Sequence, residues 1–236
     1  MIGKLLQADF IKIKRKGFWL LSFLGAFGVV GLQIVNYSLR YDWLIQQSDD
    51  KWLYYLYNVH SFTAMALVLG IVILTSLIAS VEDETNAWKQ LIALPVSKMT
   101  VYLSKFTVLA TLLFISSTLL AIFTFSYGLF LDLGEPVPYI EILKFSFYPY
   151  CASLPILAFH LWIATVSRNQ GIPITFGVIG CIATYLAYVL PDWVIWKWPT
   201  LMNDWNDPLM NVWLGIGFGI LLYFIGMFDF IRRDVK

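Results

Sequence analysis

Charge is what this chain has least of. Asp, Glu, Lys and Arg together supply 13% of its 236 residues, against roughly 25% in an ordinary soluble domain. Hydrophobic residues make up 59% and mean hydropathy is +0.73. A core built from a chain this short cannot hide so much apolar surface from water, so the excess is expected to face lipid. With a net charge of +1 there is no global field to draw in nucleic acid or acidic substrates. Cysteine is limited to Cys151 and Cys181, both inside apolar stretches, with neither a CxxC partner nor a His at zinc-ligand spacing. They read as small packed hydrophobes, and no metal or other cofactor is implied. The chain has no GxxxxGK phosphate loop, so it is not expected to hydrolyse ATP alone; HExxH and GxSxG are missing as well, which removes the usual zinc-peptidase and serine-hydrolase readings.

The charges that exist avoid the long apolar runs. Six runs of about 20 residues, the length needed to cross a bilayer, fall near 18–39, 59–81, 106–127, 145–166, 172–190 and 209–231. The fold class expected is an all-α polytopic membrane protein, six transmembrane helices in a single permease-like domain spanning 1–236. Apart from Lys144 and Asp229 near helix ends, no Asp, Glu, Lys or Arg falls at mid-membrane depth. Ion-coupled carriers generally place such a residue there to bind the driving ion, so energy for any transport is expected from a partner. The two halves show no clear repeat.

Residues 1–16 precede the first run. Ile2, Leu5, Leu6, Phe10 and Ile13 recur at three- and four-residue intervals, while Lys4, Lys12, Lys14, Arg15 and Lys16 carry positive charge. This is the pattern of a short basic amphipathic helix lying in the membrane interface. The run that follows is long enough to remain as a span rather than act as a cleaved signal. Placing both termini in the cytoplasm puts 12 of the 16 basic residues inside and leaves Arg40, Lys51, Lys144 and Lys197 outside. The positive-inside rule therefore favours a multi-pass cell-membrane protein with both termini cytoplasmic.

Glu82, Asp83 and Glu84 close the second run, and Ala87–Leu94 has helix-forming composition ended by Pro95. Trp88, Leu91 and Leu94 share a face, with Lys89 and Gln90 elsewhere. From spacing alone, this segment is equally an interfacial helix resting on headgroups or a docking helix for a cytoplasmic protein. His60 and His160, within or beside apolar runs, read as hydrogen-bonded bundle residues ahead of ligands or proton carriers.

The stretch ExExxxWKQLxALPVSxxxxYLSK at 82–105 resembles the segment between the second and third spans of export-type (type 2) ABC permeases. Within that family the chain is similar to small six-span permeases that confer lantibiotic immunity or bacitracin resistance. The resemblance implies that residues 1–16 form the connecting helix and 82–94 the coupling helix. It also implies that Glu82, Glu84, Trp88, Lys89, Leu91 and Leu94 meet a cytoplasmic ATP-binding cassette subunit, the carboxylates facing its basic residues and Trp88 serving as an apolar anchor. Residues 191–208 would be an extracellular interfacial segment, with Trp193, Trp196, Trp198 and Trp205 in an aromatic belt rather than at a substrate. The partners implied are that ATPase, a second permease chain (identical or paralogous), membrane lipid and a hydrophobic or peptide substrate. The function implied is export, with no catalytic residue in this chain. Two alternatives remain: an accessory membrane subunit that transports nothing, and an intramembrane protease of the CAAX type, for which Glu82, Glu84 and a histidine would have to converge. A neighbouring gene with a phosphate-loop motif discriminates in favour of the permease.

Overall fold

The computed structural model describes residues 2–14, 16–84, 97–167 and 169–232. Among these, every regular element is helical: α1 Ile2–Ile13, α2 Phe18–Ile45, α3 Lys51–Glu84, α4 Lys98–Phe130, α5 Tyr139–Ala152, α6 Leu154–Val166, α7 Gly171–Tyr185 and α8 Pro208–Arg232. Short 3₁₀ turns at Ala187–Val189 and Trp198–Thr200 lie between α7 and α8. An all-helical plan is what lipid demands, since a helix satisfies its backbone hydrogen bonds within the segment.

Among the described residues, five stretches are long and apolar enough to cross a membrane: Phe18–Ile45, Lys51–Glu82, Lys98–Phe130, Tyr139–Val166 and Pro208–Arg232. The sixth apolar run forms a shorter helix. Although hydropathy continues to residue 190, α7 stops at Tyr185, and its 15 residues span only about 22 Å, short of a hydrocarbon core of about 30 Å. By contrast, α3 with 34 residues and α4 with 33 overshoot that core, and both start several residues before the apolar runs that announce them.

The fourth crossing is two helices rather than one. Pro149, inside α5, has no N–H to give, and Pro155 occupies the first turn of α6, where none is needed. Between them Ser153 closes α5 by donating its N–H to Pro149 O at 2.9 Å and its hydroxyl to Tyr150 O at 2.8 Å. At the other end of the sequence, Gly17 at φ 81° turns the chain between α1 and α2, a conformation that a Cβ disfavours.

α3 is the centre of the bundle, packing against α2, α4, α5, α6 and α7. Leu67, Val68, Ile71, Leu74 and Ile78 bury one side of it in a core with Leu109, Leu112, Ile156, Leu157 and Leu161. That core also takes in Ile13 and Phe230, so α1 and the last turns of α8 lie at the same end of the bundle. A second cluster fills the opposite half, where Tyr37, Trp52, Tyr55 and Tyr127 pack edge to face. The tightest helix pair is α6 with α8. A Cβ on Gly215 would come within 2.5 Å of Ala152 Cα and Cys151 O, and one on Gly219 within 2.9 Å of Leu154 Cβ. Small residues four apart bring main chains together where lipid gives helices no hydrophobic reason to associate.

Candidate functional site

The apolar stripe of α1 is interrupted. Asp9 sits in line with Leu5 and Ile13 at four-residue spacing, on the face that packs against α4, and is 3% exposed. A carboxylate held there needs a charged partner. α4 supplies one, Lys105, and a neutral hydrogen-bond donor beside it, Ser104. Lys105 Nζ lies 2.6 Å from Asp9 Oδ1, and the Ser104 hydroxyl donates to Asp9 Oδ2 at 2.5 Å. The same ammonium contacts Glu82 Oε1 in the last turn of α3. Glu82 is 1% exposed, and its outer side is covered by Lys12, whose Nζ lies 3.2 and 3.3 Å from the two carboxylate oxygens.

Asp9, Glu82 and Lys105, each at most 4% exposed, thus form a buried node with the partly exposed Lys12 at its rim, at the end of the bundle that holds α1 and the last turns of α8. It joins three elements: α1 through Asp9 and Lys12, α3 through Glu82, and α4 through Ser104 and Lys105. α3 and α4 are the two helices that lead into and out of the 85–96 connection. α4 is held at its start by Ser97, whose hydroxyl oxygen accepts from the Thr100 N–H at 3.2 Å. Lys98 Nζ reaches across to Ile231 O at 3.2 Å, and Trp162 Nε1 donates to Asp229 Oδ2 at 2.8 Å. The last turns of α6 and α8 are thereby tied to each other and to the start of α4.

Of the residues expected to meet an ATPase, Glu82 is turned inward onto Lys105 and Lys12 of its own chain, because α3 runs unbroken to Glu84 instead of yielding a separate helix at 82. Glu84 is the last residue of α3. Trp88, Lys89, Leu91 and Leu94 lie outside the described residues. Lys105 is the last residue of the 82–105 motif but carries no assigned role there, and Asp9 belongs to no motif, yet an Asp at the centre of an apolar helical stripe is a legible signal. At the far end of the bundle, His60 Nε2 lies 2.9 Å from Thr200 O, well away from Glu82, so these two side chains do not converge as a glutamate–histidine protease would need. Among the described residues no group of three or more His, Cys, Asp or Glu side chains is placed to hold a metal ion.

The segment between α7 and α8 has its own polar frame. Asp192 Oδ2 accepts from the Asp204 N–H at 2.9 Å, Asp192 Oδ1 lies 2.7 Å from Lys197 Nζ, and the same ammonium donates to Leu190 O at 2.7 Å. These contacts, the Asp204 amide foremost, hold the Asp192 carboxyl below the usual carboxylate range. Of the four tryptophans read as a belt, Trp193 and Trp205 are exposed, whereas Trp198 is buried and Trp196 partly so.

No curated protein and no solved structure matches the chain significantly. A family model does: ABC-2 family transporter protein, over residues 5–184, a span that takes in all five residues of the node.

Proposed function

The chain belongs to the ABC-2 family of transporter proteins, and on that premise we propose that it is the permease subunit of an ABC exporter, driven by a separate ATP-binding subunit and paired with a second permease chain. In this reading α7 completes six crossings, both termini are cytoplasmic, α1 is the connecting helix and residues 82–94 carry the coupling contact. The substrate is amphipathic and membrane-partitioned, an antimicrobial peptide of the lantibiotic kind being the form that the sequence resemblance favours. A bundle whose spans are almost uncharged suits such a ligand.

The observation that carries this reading is the node. The 85–96 connection is where a partner would push, and its two flanking helices are bridged by Lys105, which simultaneously holds Asp9 of α1. Charges in a dry, low-dielectric site interact strongly and steeply with distance. A displacement of the connection therefore cannot move the end of α3 alone; α1 and the start of α4 go with it. Nucleotide-driven closure of two ATPase subunits would in this way shift three elements of each permease as a unit, and the bundle would alternate between inward- and outward-open arrangements. Trp88 is assigned the apolar anchor in the ATPase cleft, with Lys89, Leu91, Leu94 and Glu84 around it; Glu82 acts from inside, through the node.

The test is co-expression with a candidate partner ATPase, one encoded in a neighbouring gene that carries a phosphate-loop motif. Inactivating the phosphate-loop lysine of that ATPase should abolish protection against the exported peptide while this chain stays in the membrane, and collapsing the proton gradient at held ATP should not. Trp88→Ala should lower substrate-stimulated ATP hydrolysis without loss of insertion. Protection that survives the dead ATPase and is lost with the uncoupler would replace the exporter by an ion-coupled carrier.

A further inference from the structure

Because α7 ends at Tyr185 while α3 continues beside it, a wedge is left between them at the end of the bundle away from α1. The turn at Trp198–Thr200 and Met202 closes it only partly. The result is a cavity of ≈ 360 Å³, within the size range of small-ligand sites. Its wall includes His60, Met65, Thr184, Tyr185, Tyr188 and Met202, and no lining residue carries a formal charge. Tyr185, Tyr188 and Met202 are exposed around it, with exposed Trp193 and Trp205 on the neighbouring segment. Aromatic side chains of this sort sit at the level of lipid headgroups. A molecule reaching the wedge therefore comes with its tail already in the hydrocarbon.

One wall residue adds a chemical preference. His60 Nε2 faces the Thr200 carbonyl, which can only accept, so in the neutral ring Nε2 bears the proton and Nδ1 is an acceptor. Nδ1 is buried and has no partner. Thr184, by contrast, is satisfied, its hydroxyl lying 2.9 Å from Gly180 O and 3.0 Å from Trp196 O. The wall thus offers apolar surface, no formal charge and one buried ring nitrogen without a partner.

We propose that this wedge is a binding site for a single-chain lipid alcohol of the leaflet at the end of the bundle away from α1, the alkyl chain lying between α3 and α7 and the hydroxyl donating to His60 Nδ1. This goes beyond the exporter reading and does not depend on it, since it requires only that the bundle spans a membrane. The experiment uses the purified chain in phosphatidylcholine nanodiscs without any ATPase, a photoreactive long-chain alcohol, and its methyl ether as the donor-free control.

Saturable labelling of the peptides around 60–65 and 184–188, competed by unlabelled long-chain alcohol, is expected. Ser61→Trp and Met65→Trp, which fill the wedge from its outer wall, should each remove most of that labelling and leave labelling of the exposed face of α2 at Leu32 and Leu39 as in the unaltered chain. The alcohol should outcompete the ether by roughly two- to tenfold, the value of one hydrogen bond, and His60→Leu should erase that difference. Non-saturable labelling of the unaltered chain overturns the site without reference to any variant. Equal binding of alcohol and ether overturns the role of His60.

Discussion

Lys105 and Asp9 stand 96 positions apart in sequence and 2.6 Å apart in space, each at most 4% exposed. With Glu82 on its other side, one ammonium bridges two carboxylates that come from different helices. The pair is what fastens the first helix of the chain to the two helices that flank the 85–96 connection.

Lys105→Met should destabilise the bundle by about 3–5 kcal/mol, the cost of leaving buried charge without its partner. The combined change Asp9→Leu, Glu82→Leu and Lys105→Met should recover most of that stability, because well-packed apolar residues substitute readily for a buried ion group. If the node transmits motion, the recovered protein will still show uncoupled ATP hydrolysis and poor protection. Thermal unfolding in detergent reads the first effect, and ATPase stimulation by substrate reads the second. Full coupling in the triple variant would reduce the node to a structural fastening.

Gly215→Ala should loosen the pairing of α8 with α5 and α6, since the added methyl meets backbone at 2.5 Å; overpacking of this kind costs about 1–3 kcal/mol. Gly217→Ala, two residues on, meets nothing within 4 Å and should be neutral or stabilising by up to about 1 kcal/mol. Opposite signs for neighbouring glycines in the same unfolding assay are the diagnostic result.

Asp192 makes the segment after α7 sensitive to acid. Its folded carboxyl titrates below the unfolded value of about 3.9, so the stabilisation is complete above that value and is lost as pH falls through the folded one. Asp192→Asn should therefore speed backbone hydrogen exchange across 191–207 at pH 6. Once rates are corrected for their intrinsic pH dependence, wild type and variant should converge in strong acid. A difference that persists there would mean that the Asp204 and Lys197 contacts do not organise the segment.

Cysteines introduced near 45, 134 and 200 should react with an impermeant thiol reagent from outside intact cells, and those near 90 and 169 only after permeabilisation. Reaction of 134 from the cytoplasmic side would remove the six-crossing arrangement.

The crossings were legible because hydropathy records how long a segment stays in lipid. Two of their details were not. The run at 145–166 is apolar throughout, so averaging conceals the break at Ser153, although Pro149 and Pro155 mark it individually. The run at 172–190 is equally apolar, but only 171–185 is α-helix, with a 3₁₀ turn after it at Ala187–Val189; hydropathy cannot separate an α-helix from the apolar turn that follows it. The node was half legible. Asp9 in the stripe of Leu5 and Ile13 declares a buried acid, yet nothing local says that its partner lies in another helix. Lys105 and Glu82 looked like boundary charges because each falls where an apolar run ends, and the burial that changes their meaning comes from packing against α1.

The close approach of Gly215 and Gly219 to the 151–155 main chain has a mechanical consequence. Side chains can exchange rotamers and let helices slide, but main chain against main chain has no slack. α6 and α8 therefore act as the fixed leaf of a door, clasped together further along by Trp162 and Asp229. The contact between α2 and α4 is of the other kind: Phe23 and Phe27 meet Phe123 edge-on, side chain against side chain, which can open and reclose. Probes placed across α6 and α8 should hold their separation through a transport cycle, and those across α2 and α4 should not.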